Sequence, residues 1–262
     1  MALDYAVLSS GSIGNAYVFF DGVDSIVVDC GITAKQMETR LESANIKKET
    51  IRAIFITHLH PDHVKGIRVF TKNTNIPVYI NSFSAKKIPT VLVRYNIPST
   101  IQKYFNINEE ININSAFRVY PFELHHDCIG TVGFKIESIR ANKTIAVITD
   151  TGTYTDETVQ TVSDVDALFL EANYDEYMLS NGPYSKDLQE RVKGDRGHLS
   201  NEQAANFVEH LKDHDKRKLH LIHVSANNNN VEKIYEAFKN VNSSKYSSII
   251  ALERGEYYKG ML

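Results

Sequence analysis

The chain has 262 residues, 42% apolar and 23% charged, with 12 Phe and 14 Tyr, which excludes a disordered or fibrous protein. A formal charge of −3 argues against coating nucleic acid by bulk charge, and two cysteines, Cys30 and Cys128, exclude a disulfide framework or a cysteine zinc finger. No basic-then-apolar leader pattern opens the sequence and no apolar run approaches the ~20 residues needed to span a bilayer, so a cytoplasmic globule with no membrane partner is expected, one domain over residues 1–262.

In chain order, short apolar runs bounded by turn residues predict strands at Tyr17–Phe20, Ser25–Asp29, Ala53–Thr57, Val78–Ile80, Phe117–Phe122, Thr131–Ile136, Thr144–Thr149, Ala167–Leu170, Leu219–Val224 and Ser248–Leu252. Helical patterns lie between them. Thr33–Ala44 follows a cap-like threonine, Ser200–Lys212 opens with the Ser-Asn-Glu-Gln spacing of a capping box, and Val231–Lys239 follows the Asn227–Asn230 run. The alternation from end to end predicts one α/β domain of several layers.

Histidine usage is uneven: ten in all, none before residue 58, then three within six residues. His58-Leu59-His60-Pro61-Asp62-His63 directly follows the run Ala53–Thr57. Two His at i and i+2 of an extended chain point the same way, Pro61 breaks the strand, and Asp62 and His63 start the next turn. So many ligand-type side chains on one tight turn suit two metals, His58 and His60 on one and Asp62 and His63 on the other. Four more runs end on such residues: His125-His126-Asp127, Asp150, Glu171 and His223. Polar groups at the same ends of several strands build one site on one edge of an α/β fold. Asp150 has the short carboxylate needed to bridge two cations. His125 and His126 compete for one ligand place, with His126 favoured beside Asp127. His223 is favoured over His220, which then reads as a core or surface histidine, and His210 and His214 read as a solvated helix face.

Together these residues resemble the metallo-β-lactamase superfamily. Ser9-Ser10-Gly11-Ser12 with Gly14-Asn15, Val28-Asp29-Cys30-Gly31, Leu170-Glu171-Ala172-Asn173, Gly197-His198-Leu199-Ser200-Asn201 and His223-Val224-Ser225 are similar to its YycJ/WalJ/VicX branch. The resemblance implies a four-layer αββα sandwich with a dinuclear site at one edge. It places His58, His60 and His126 on one metal, Asp62, His63 and His223 on the other, and Asp150 between them. All seven are N or O donors, a set that accepts Zn, Mn or Fe. The 48 positions from Asp150 to His198 leave no room for a β-CASP insertion. Cys30 and Cys128 read as small buried hydrophobes.

The branch implies a metal-dependent phosphodiesterase, a 5′→3′ DNA exonuclease in the first place. Glu171 and His198 are similar to the Glu/His pair of transfer-RNA 3′-processing enzymes, with Asn173 where those enzymes carry Thr. An unligated histidine can protonate a departing sugar oxygen while a carboxylate behind it fixes its tautomer. The implied mechanism is attack on phosphorus by a hydroxide shared between the metals, with His198, Glu171 and Asp62 handling protons. An RNA-processing nuclease is an alternative; so is a glyoxalase II-like thioester or lactone hydrolase, which needs no His198–Glu171 pair.

Charge points independently to an anionic substrate. Residues 64–108 hold Lys65, Arg68, Lys72, Lys86, Lys87, Arg94 and Lys103 and no acid, leaving 22 basic against 32 acidic residues elsewhere. Phe70, Tyr79, Phe83, Tyr95, Tyr104 and Phe105 are interleaved with them, the pairing of phosphate contacts and stacking rings that grips single strands. The Ser9–Asn15 loop adds backbone N–H groups suited to a phosphate.

Overall fold

A computed structural model describes residues 1–212, 217–242 and 245–262; His214 lies outside the described residues. Its framework is two sheets. The first takes β1 (Asp4–Ser9), β2 (Ala16–Phe20), β3 (Ser25–Val28), β4 (Ile51–Phe55), β5 (Val78–Asn81) and β6 (Gln102–Phe105), with β14 (Tyr258–Met261) returning to pair with β1. The second takes β7 (Ile111–Ile113), β8 (Phe117–Glu123), β9 (Val132–Ser138), β10 (Lys143–Ile148), β11 (Ala167–Glu171), β12 (Arg217–Ile222) and β13 (Tyr246–Ala251), in that spatial order.

Both faces of each sheet are covered, which is why the strands read as continuous apolar runs. Along β1 to β4 the period of two sends Tyr5, Val7, Tyr17, Phe19, Ile26, Val28 and Phe55 into the layer between the sheets, where they meet Phe134, Phe169 and Ile222. The alternate residues Ala6, Leu8, Val18, Val27 and Ile54 face outward. They pack against Met37 and Leu41 of α1 (Ala34–Ser43), Val64 of α2 (Pro61–Val64), and Ile67 and Phe70 of α3 (Ile67–Phe70). On the far side, Ala146, Leu168 and Leu219 pack against α6 (Asp156–Thr161), α9 (Asn201–Glu209) and α10 (Val231–Ala237). The result is the four-layer αββα sandwich.

The capping boxes form as the spacing requires, Thr33 with Gln36 and Ser200 with Gln203. The α9 helix stops at Glu209, short of the expected Lys212, and α10 gives way to a 3-10 turn over Phe238–Asn240. Elements that the apolar pattern does not reveal are β1, of six residues, the shorter β6, β7 and β14, and α2 to α6, with α4 at Ser82–Lys87 and α5 at Pro89–Arg94. Between β11 and α9 lie two more, α7 (Glu176–Asn181) and α8 (Lys186–Lys193). Among the described residues no helix is long and apolar enough to cross a membrane. Cys30 and Cys128 are buried free thiols.

Candidate metal centre

The strand-end residues do converge. β8, β10, β11 and β12 run parallel in the second sheet, so His126, Asp150, Glu171 and His223 leave it on one edge. β4 ends at Phe55, two residues before the expected Thr57. Ile56 N–H still donates to Tyr79 O at 3.0 Å, but the Thr57 carbonyl then accepts from Val132 N–H at 3.0 Å, in the other sheet. The His58–His63 turn therefore begins where the chain bridges the sheets, and His58 and His60 are aimed by an irregular loop, not by strand periodicity. Pro61 then opens α2 with His60 as its cap. Space there is minimal: a Cβ on Gly31 would lie 1.5 Å from Asp62 O, so only glycine lets the β3 loop pass under the turn.

Three residues leave their strands in the left-handed conformation, Asp29 (φ 62), Asp150 (φ 56) and His223 (φ 57). Asp and His tolerate this better than most residues, and such local strain gathers at functional sites. Here the turns at Asp150 and His223 swing their side chains into one cleft, and that at Asp29 swings its carboxylate under His63.

Among four groups of donors in the described residues, which overlap through His58, His63, Asp150 and His223 and include Asp150 with Glu171, His198 and His223, two adjoining clusters stand out. His58, His60 and His126 each offer a ligand atom within 4.8 Å of the others, as do Asp62, His63 and His223. Asp150 lies between them, its Oδ2 3.3 Å from His63 Nε2 and its Oδ1 3.5 Å from His223 Nε2 and 3.8 Å from His126 Nε2. Two features fit the set to cations. His58 Nε2 and His60 Nδ1 face each other at 3.0 Å, and buried His223 Nε2 has no hydrogen-bond partner. His125 stays outside both clusters, with its backbone N–H bonded to Thr151 Oγ1.

Outer contacts orient the rings. His63 Nδ1 sits 2.7 Å from Asp29 Oδ2, and Asp29 also accepts from Thr57 N–H at 2.9 Å and Thr57 Oγ1 at 2.8 Å. His126 Nδ1 faces Gly197 O at 3.0 Å. Glu171 Oε1 lies 2.7 Å from both His198 Nδ1 and His223 Nδ1, while its Oε2 accepts from Thr151 N–H at 2.9 Å. Asn173 donates through Nδ2 to His223 O at 2.7 Å, so the amide anchors the neighbouring strand end. His198 is part-exposed in a pocket of about 240 Å³ above the clusters, also lined by Ser12, Tyr184, Leu188, Arg191 and Ser225.

Charge is divided unevenly. Burial, with neighbouring imidazoles, lowers the pKa values of His58, His60 and His126. Burial also opposes the charged rings of His63 and His223, but carboxylates outweigh it. Asp29 and Asp150 hold His63 well above its usual value, and Asp150 with Glu171 lifts His223 to about 9. Burial likewise opposes ionisation of Asp150, yet the His223 and His63 rings hold it well below the carboxylate range.

Several site residues carry no assignment from sequence. Asn15 Nδ2 lies 3.0 Å from His63 Nε2, Ser10 Oγ accepts from His223 N–H at 2.8 Å, and Arg191 pairs with Asp127 at 2.5 Å. Asp29 ends an apolar run as the metal-motif residues do, a signal sufficient to find it, and Asn15 closes the family-like Ser9–Asn15 segment; Arg191 has no such signal. The basic stretch needs correcting as a set of stacking rings. Phe70 and Phe105 are buried, Tyr79 stacks on Phe55 at 4.7 Å, and Tyr95 packs on the outer core. Only Phe83 and Tyr104 of the six are exposed, and none of the seven basic residues lines the pocket. Their apolar spacing was that of short strands and helices folding onto the first sheet. His220 is a core residue, stacked on Phe169 with Nε2 2.9 Å from Tyr5 Oη, and His210 is an exposed helix cap.

A model of the beta-lactamase superfamily domain matches residues 24–224, and the chain belongs to that superfamily, as a metal-dependent hydrolase of the metallo-β-lactamase fold. Among curated relatives it is 28% identical over 225 residues to exodeoxyribonuclease WalJ of Streptococcus pneumoniae, covering 86% of this chain and 82% of that protein. It is 29% identical over 229 residues to exodeoxyribonuclease YycJ of Bacillus anthracis, covering 87% and 85%. Among solved structures, the metallo-β-lactamase fold protein YhfI of Bacillus subtilis matches with a TM-score of 0.70 at 17% identity, over 98% of this chain and 99% of that one.

Proposed function

We propose that the protein is a phosphodiesterase that degrades DNA from the 5′ end, holding two divalent cations, Zn, Mn or Fe. His58, His60 and His126 would hold one cation, Asp62, His63 and His223 the other, and Asp150 both. When bound, such cations would supply Lewis acidity that offsets charge on the phosphate and lowers the pKa of an attacking water. The observation that carries the reading is the 2.7 Å contact between His198 Nδ1 and Glu171 Oε1 at the pocket floor. With Nδ1 fixed by the carboxylate, Nε2 is the atom left to protonate a leaving oxygen, a step that helps expel the sugar oxygen of a phosphodiester and that the better-leaving thiolate of a thioester does not need. Asp62, part-exposed beside the clusters, accepts the proton of the attacking water. The names of the WalJ and YycJ relatives support DNA as the substrate.

The test is an assay of the Mn- and Zn-reconstituted protein on end-labelled single- and double-stranded DNA, with RNA and a thioester as controls. Stepwise release of label from the 5′ end is expected. Thioester turnover without nucleic-acid cleavage rejects the proposal, and preference for RNA moves it to RNA processing.

A further inference from the structure

Against residues that flank the pocket lies an arginine with no ion pair among the described residues. After β13 the chain turns through residues 252–257 and docks on the loop that follows β1, where Gly255 N–H donates to Ser10 O at 2.8 Å. Arg254 lies across Gly11. A Cβ on that glycine would stand 3.0 Å from Arg254 Cγ and 3.5 Å from Val224 O, and Gly11 holds φ +109, so the missing side chain makes room for the arginine stem. Ser12, Val224 and Ser225, which flank this contact, are lining residues of the pocket.

Arg254 Nε is buried without a hydrogen-bond partner, and among the described residues Arg254 has no ion pair. The adjacent carboxylates do not serve it: Glu256 Oε2 accepts from Glu253 N–H at 3.0 Å. Ser12 and Ile13, at the tip of the same loop, are exposed, and their N–H groups have no partner among the described residues. Arg191, the pocket's own arginine, is by contrast neutralised by Asp127. Arg254 is part-exposed, its stem rests on Gly11, the residue before the Ser12 and Ile13 amides, and an unpaired guanidinium so placed calls for an anion as counter-charge. A guanidinium fork with backbone N–H donors matches phosphate oxygens.

We propose that Arg254, with the Ser12 and Ile13 amides, seats a backbone phosphate of the DNA strand next to the one cleaved. The proposal rests on the nuclease reading and names what grips the strand outside the metal pocket. The test compares the wild-type holoenzyme with Arg254→Ala and Arg254→Lys on an oligonucleotide and on bis(4-nitrophenyl) phosphate, a diester with no neighbouring phosphate. For Arg254→Ala, KM for the oligonucleotide should rise about tenfold with kcat held within about twofold, and the log–log salt slope of binding should flatten by about 0.7–0.9, the loss of one phosphate contact. Arg254→Lys should recover most of the slope but less of the KM, since an ammonium keeps the charge and loses the fork. Unchanged KM and slope in Arg254→Ala, or equal losses on both substrates, overturn the assignment while leaving the nuclease reading in place. Failure of the wild-type protein to cleave DNA overturns both.

Discussion

His220 and His223 stand three residues apart, one in the core between the sheets and one on its edge, and the two regions treat the same side chain in opposite ways. Burial against Phe169 and Tyr5 pushes His220 down to about 3, whereas Asp150 and Glu171 overcome burial and lift His223 to about 9. The core tolerates a histidine only as a neutral ring with one hydrogen bond, and the edge surrounds its histidines with carboxylates. The difference lies in the strand ends: inside the sheets neighbours are apolar, while the left-handed exits of Asp150 and His223 face carboxylates and imidazoles across the cleft.

The largest way to break the edge is Asp150→Ala, which removes the carboxylate shared by both clusters. Activity should fall by about 10³-fold or more, and elemental analysis should show fewer than two bound metals. His198→Ala should cost about 10²–10⁴ in kcat while both metals stay bound, because its partner is Glu171 and not a cation. Metal loss in that variant would make His198 a ligand. Asp29→Asn sharpens the contrast between carboxylate and carbonyl anchors. Metal affinity should drop about 10–100-fold at the site that uses His63, measured by competition with a chromophoric chelator, with the His126 site, held by Gly197 O, unchanged.

The smallest effect belongs to the core. Because the pKa of His220 is lowered on folding, the unfolded chain binds more protons between about 6.5 and about 3, so stability is lost as pH falls through that window. His220→Gln should cost about 1 kcal/mol at pH 7, through its contact with Tyr5, yet flatten the acid limb of urea midpoints. An unaltered acid limb would mean that His220 does not carry this dependence.

The edge was largely legible in the sequence, since a ligand-type residue closing an apolar run needs only local pattern. Arg191 and Arg254 were not legible, nor was the contact of Asn15 with His63, because these contacts join segments far apart in the chain. The basic stretch misled for the converse reason: in elements of four to six residues, the apolar positions of Phe70 and Phe105 show no period that separates a core ring from a stacking ring. The pattern also does not reveal the edge strand β14 or β1 beside it, β14 carrying Gly260 where it passes the Tyr5 ring.

The hydrogen bond from Val132 to the Thr57 carbonyl carries a consequence for assembly. The turn it anchors supplies His58, His60, Asp62 and His63 from the first sheet, while His126, Asp150 and His223 come from the second. Neither sheet folded alone owns all the residues of either proposed cation site. Closing the sandwich and bringing the two donor clusters together are thus one event.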